Sequence, residues 1–168
     1  MRRILVGLVI IYTLSILASC TPKFKDDAAM ACAIAKDLCV KKVDIFACQD
    51  VDDLRFVGFT YGEKKSFAVF KKSRRGYTLD YIKKPDKMLQ RGCDICVGYR
   101  SPYWVVLSHN EDLEKIEIIV YGKTNKENQV YLLEVKNCPS INVVRVNNLI
   151  YGWEYKFYDK DGKQINNS

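Results

Sequence analysis

Residues 55–72 read RFVGFTYGEKKSFAVFKK. Two runs rich in aromatic and β-branched residues, 55–61 and 66–72, flank the turn residues Gly62-Glu63-Lys64-Lys65, the pattern of a β-hairpin. Working forward, the texture repeats. Residues 76–82, 95–99, 104–107, 116–121, 130–135, 141–146 and 151–158 are rich in Val, Ile, Tyr and Phe, with Gly, Asn, Asp and Pro between them. Short connections of this kind favour antiparallel neighbours, because parallel pairs need long crossovers.

Working backward, Asp26 and Asp27 precede Ala28-Ala29-Met30-Ala31-Cys32-Ala33-Ile34-Ala35, a run of good helix formers. Asp at the start and Lys41-Lys42 at the end suit the helix dipole, so a helix is predicted over 28–41. One helix followed by a run of strands gives the expected fold class: α+β, with the N-terminal helix packed on a curled antiparallel, mostly meandering sheet. Residues 28–168 read as a single domain behind a polar tether at 20–27. No repeat, low-complexity tract or internal linker divides it.

The first nineteen residues have a different character. A basic head, Met1-Arg2-Arg3, leads into a stretch from Ile4 to Ser19 that carries no charge and is too short to span a bilayer easily. A positive head, a short apolar middle and small residues at the end are marks of a secretory signal. The end, Leu17-Ala18-Ser19-Cys20, resembles the lipobox of bacterial lipoproteins with a type II signal peptide. The resemblance implies cleavage after Ser19, diacylglycerol on the Cys20 sulfur, and attachment to the extracytoplasmic face of a membrane. Two acyl chains suffice for stable anchoring. The stretches FVGFTYGEKKSFAVFKK, GYTLDYIKKPDKM and YKFYDKDGKQI also resemble small lipoproteins of low-G+C bacteria. That likeness implies no activity.

Cleavage would leave 149 of the 168 residues and lower the formal charge from +7 to +5 as Arg2 and Arg3 depart. A chain of that length can bury a sizeable core without staples. Six cysteines remain besides Cys20: Cys32, Cys39, Cys48, Cys93, Cys96 and Cys138. An even number outside the cytoplasm reads as disulfides, with 15 possible connectivities. Pairing Cys32 with Cys39 is disfavoured, since seven residues of helix separate them by about 10.5 Å.

Cys93-Asp94-Ile95-Cys96 has the spacing of a redox dithiol, but it runs into a strand rather than a helix that would stabilise a thiolate. His109 lies in turn chemistry, Ser108-His109-Asn110-Glu111-Asp112, and a single histidine cannot build a multi-His metal site. Asp159-Lys160-Asp161-Gly162 reads as a turn, because the further ligands of a calcium loop do not follow. No phosphate-cradling glycine loop is present, and no cofactor is expected.

The most suggestive feature is charge. Between Gly62 and Arg91 ten Lys and Arg face three acids, whereas the rest of the mature chain sums to −2. Lys71, Lys72, Arg74 and Arg75 are the centre of this segment and the candidate anion-binding residues, for anionic lipid or wall polymer; nucleic acid is not expected. The functional expectation is a membrane-tethered, non-enzymatic binding module. The alternatives are a thiol-redox protein using Cys93 and Cys96, or a structural or immunity-type envelope protein.

Overall fold

The computed structural model describes residues 24–84, 95–124, 127–146 and 151–165. Among the described residues one helix, α1 (Asp27–Asp37), precedes eleven strands: β1 (Asp44–Val51), β2 (Leu54–Tyr61), β3 (Lys64–Ser73), β4 (Gly76–Ile82), β5 (Ile95–Arg100), β6 (Tyr103–Ser108), β7 (Lys115–Tyr121), β8 (Gln129–Glu134), β9 (Ser140–Arg145), β10 (Gly152–Tyr158) and β11 (Gln164–Ile165). They form three antiparallel sheets, with orders β1-β2-β3-β4, β5-β6-β9 and β11-β10-β7-β8.

The expected α+β architecture is overturned: the described residues are mostly β, in three antiparallel sheets with one short helix, instead of a helix on one curled sheet. The physical reason lies in long-range pairing. A meander holds only through β1–β4. Beyond it, β6 takes β9 as its second neighbour and β7 takes β10, so the later strands divide into two sheets.

The core confirms the layering. Phe56, Phe67 and Val69 of the first sheet meet Cys96, Tyr103, Val105, Leu107 and Val143 of the central sheet. The opposite face of the central sheet, with Ile95, Trp104 and Val106, meets Ile116, Ile118, Val120 and Phe157 of the outer sheet. The free face of the first sheet, with Val57, Phe59, Ala68 and Phe70, is covered by Met30, Ile34 and Ala35 of α1. Strand β6, YWVVLS, is buried along its whole length because sheets lie on both sides of it. Gly98 permits a close approach between the sheets: a Cβ there would sit 2.5 Å from the Phe67 ring. Gln49 ties the first sheet to the edge of the central one, its side-chain oxygen accepting the Val143 N–H at 2.8 Å.

The helix begins where the sequence indicates, with the Asp26 carboxylate accepting the Ala29 N–H at 2.8 Å. Such a cap contributes about 1 kcal/mol. It stops at Asp37, short of the expected 41. Cys39 adopts φ 56°, its N–H bonds to Lys36 O, and Val40 N–H bonds to Ala35 O. This is a Schellman ending with cysteine in the left-handed position usually held by glycine.

Candidate functional site

The chain enters the first sheet at Phe24. Its N–H donates to Tyr77 O and its carbonyl accepts from Tyr77 N–H, both at 2.7 Å, and its ring packs edge-on against Phe70 at 5.8 Å. This clasp needs Gly76. With φ +126° and the Phe24 carbonyl oxygen 2.6 Å from where a Cβ would stand, no other residue fits without displacing the entering segment. Phe24 also borders a groove of about 750 Å³ between α1 and β4, lined by Ala29, Cys32, Ala33 and Leu79.

Gly76 closes the β3–β4 hairpin, and the four candidate anion-binding residues occupy its arms and tip. Lys71, Lys72, Arg74 and Arg75 are all exposed. The carboxylates beside them are engaged: Asp53 lies 3.8 Å from Lys71, Asp50 accepts from Arg55 at 2.7 and 3.0 Å, and Asp52 accepts from Arg145 at 3.2 Å. The Arg55 hydrogen bonds hold the Asp50 carboxyl below its ordinary pKa. Among the described residues Lys72, Arg74 and Arg75 form no direct ion pair; Lys72 is near enough to Asp50 to help lower its pKa, and the three are the least compensated charges of this end. The basic segment as a whole does not come together. Lys64, Lys65, Lys83 and Lys84 sit at the opposite end of β3, a strand of ten residues and about 30 Å. Lys87 and Arg91 lie outside the described residues.

A second feature shares the hairpin's end of the molecule. Asp52, in the turn joining β1 to β2, accepts the Tyr103 hydroxyl at 2.9 Å. Burial, and then this hydrogen bond, raise the Tyr103 pKa. Next along β6, Trp104 is buried, with Tyr99 and Trp153 rings at 4.9 and 5.0 Å from it. From Tyr151, just before β10, along one face of that strand exposure falls steadily, from 64% at Tyr151 and 54% at Trp153 to 40% at Tyr155 and 2% at Phe157. The central sheet therefore covers only the Phe157 end of this aromatic row, and the Trp153 end stands open beside Tyr99, itself 40% exposed. Sequence reasoning missed this cluster. The alternation of Tyr151, Trp153, Tyr155 and Phe157 marks an apolar face but not how much of it a neighbouring sheet covers.

The cysteines are spread over separate elements. Cys32 is exposed on α1, Cys39 follows its end, Cys48 lies on β1, Cys96 is buried on β5, and Cys138 is exposed before β9. Cys20 and Cys93 lie outside the described residues. No disulfide joins Cys32, Cys39 or Cys48. The Cys48 sulfur stands 4.0 Å from an Asp27 carboxylate oxygen. Partial desolvation, then the Asp27 and Asp50 carboxylates, push its pKa up to about 11 against the pull of Arg55. A thiol so held is a poor nucleophile at neutral pH.

The opposite end of the molecule is polar. Ser108 Oγ accepts the Asn110 N–H, Asn110 accepts the Asp112 N–H, and half-buried His109 packs edge-on against Phe46 at 4.5 Å. The Asp159 carboxylate accepts the N–H groups of Asp161 and Lys163, which closes the β10–β11 turn at Gly162. Among the described residues no cluster of three or more His, Cys, Asp or Glu is placed to hold a metal ion. The chain matches no protein-family model, no curated protein and no solved structure.

Proposed function

We propose that this protein is a membrane-tethered extracytoplasmic lipoprotein, a non-enzymatic binding module held through lipid on Cys20 with its basic β3–β4 hairpin toward the anionic surface. The observation that carries the reading is the clasp between Phe24 and Tyr77. Three residues lie between Cys20 and Phe24, and the four steps from one to the other span no more than about 14 Å. An anchor on Cys20 therefore keeps the hairpin close to the bilayer, where screening reaches about 8 Å and each Lys or Arg contributes about 1 kcal/mol. The open charges of Lys72, Arg74 and Arg75 fit the phosphates of anionic headgroups. The burial of Cys96, 3% exposed, speaks against an accessible redox dithiol with Cys93.

The test is the intact mass of the mature protein made with its own signal. The expected N-terminus is Cys20 carrying diacylglycerol, and Cys20→Ala is expected to be released or to keep its signal uncut. A mature chain without acyl mass on Cys20 contradicts the proposal. Binding of the unlipidated chain to wall polymer in preference to anionic vesicles reassigns the hairpin to that polyanion.

A further inference from the structure

We infer that Tyr99, Tyr151 and Trp153, together with Lys72, Arg74 and Arg75, form a face that enters the interfacial layer of an anionic bilayer. The inference rests on the Cys20 anchor proposed above and deepens it, from a tether to an oriented docking surface. Three independent features meet at one end of the sheet stack. The first is the length of chain beyond the clasp, with only three residues between Phe24 and Cys20, which leaves this end little freedom to turn from the surface.

The second is charge complementarity. Asp50, Asp52 and Asp53 are each engaged by a cation, and the remaining cations of the hairpin are open. The third is the open aromatic row. The end of β6 lies between it and the hairpin: Lys72 N–H bonds to Asp53 O, and the neighbouring Asp52 holds the Tyr103 hydroxyl on the first-sheet side of β6, while Trp104, the next residue, packs against Tyr99 and Trp153 on the other side. Tyr and Trp carry an apolar ring with a polar edge, and such side chains settle at headgroup depth, one part dry and the other wet. The far end offers no such set. Its carboxylates and amides close their own turns, as at Asp159 and Asn110, and its exposed cations, among them Lys160 and Lys163, lack the exposed aromatic side chains that stand beside the hairpin's end.

The two tryptophans make the test direct, because Trp104 is buried at 4% exposure while Trp153 is half open. The lipidated protein would be placed on phosphatidylcholine vesicles with and without phosphatidylglycerol. On the anionic vesicles Trp153 emission is expected to move to the blue, lose its acrylamide access and be quenched by brominated lipid. Trp153→Phe is expected to remove all three responses, with an unchanged far-ultraviolet circular dichroism spectrum and continued acrylamide protection of buried Trp104 reporting an intact fold. Flotation with the vesicles while Trp153 keeps its emission and acrylamide access overturns the docking face and leaves the anchor standing. Absence of acyl mass on Cys20 brings down the anchor and this inference with it. A Trp153 response to soluble wall glycan, with none to vesicles, overturns the membrane face in favour of a glycan site.

Discussion

The two ends of the sheet stack solve the same problem differently. At the Asp159 end the polar groups close their own turns, and Lys156 is shared between Glu117 and Glu154 at 3.5 and 3.8 Å. At the Phe24 end Asp50, Asp52 and Asp53 are each matched to a cation, yet Lys72, Arg74 and Arg75 and the aromatic side chains of Tyr99, Tyr151 and Trp153 remain open. Open aromatic surface beside open charge is costly to leave in water and useful against a partner. The difference teaches that function is to be sought at the end where the chain enters the fold.

The largest expected effect comes from removing what holds both ends on one body. Phe67 is fully enclosed between the first and central sheets, so Phe67→Ala should cost about 3–5 kcal/mol, seen as a large drop in denaturant midpoint, and should blur the contrast altogether. Next, reversing Lys71, Lys72, Arg74 and Arg75 to Glu should weaken vesicle binding of the unlipidated chain by about 10²-fold at low salt, if the three open cations contribute about 1 kcal/mol each. Its melting temperature should hold, since exposed charges contribute little to folding. Reversing Lys160 and Lys163 at the far end should leave vesicle binding unchanged; equal losses from both sets would erase the comparison.

Gly76→Ala should unfasten the clasp, losing two hydrogen bonds and about 1–3 kcal/mol, with faster tryptic cleavage at Lys25 as its readout. The smallest effect sharpens the comparison from a site apart from the docking surface. The folded state holds the Cys48 proton to about pH 11, whereas the ordinary value is 9.0. That contribution to stability is present below pH 9 and is lost as pH rises from 9 toward 11. Wild type should therefore lose more stability over that window than Cys48→Ser, measured by denaturant midpoints. Identical pH profiles would contradict it.

Much of the strand pattern was legible in the sequence. The 55–72 hairpin and seven later strands stand within about two residues of their expected bounds, because turn residues and β-branched runs are local signals. Strand β1 was not legible. Its DIFACQDV dilutes Ile45 and Phe46 with Cys48, Gln49 and Asp50, and a bulge between Ile45 and Ala47 breaks the alternation. Strand grouping into sheets was not legible either, since the β6–β9 and β7–β10 pairings are set by contacts distant in sequence. One signal was available. The continuous apolar run 103–107 is what a strand buried on both faces looks like, and it pointed to a layered core instead of a single sheet. The helix end at Asp37 was hidden because Cys39, not glycine, takes the left-handed position. At the candidate site, the basic residues were visible but their division between two ends of β3 was not. The aromatic row was visible but its exposure was not, because coverage belongs to the neighbouring sheet.

The central claim, that one end of this molecule faces the bilayer, is tested most directly by hydrogen exchange of the lipidated protein on anionic vesicles compared with detergent solution. Added protection is predicted at the 71–77 hairpin, the 99–104 hairpin and the segment beginning at Tyr151, with none at 108–114 or 158–163. Protection at the 158–163 turn, with the hairpin at 71–77 unchanged, would contradict the account.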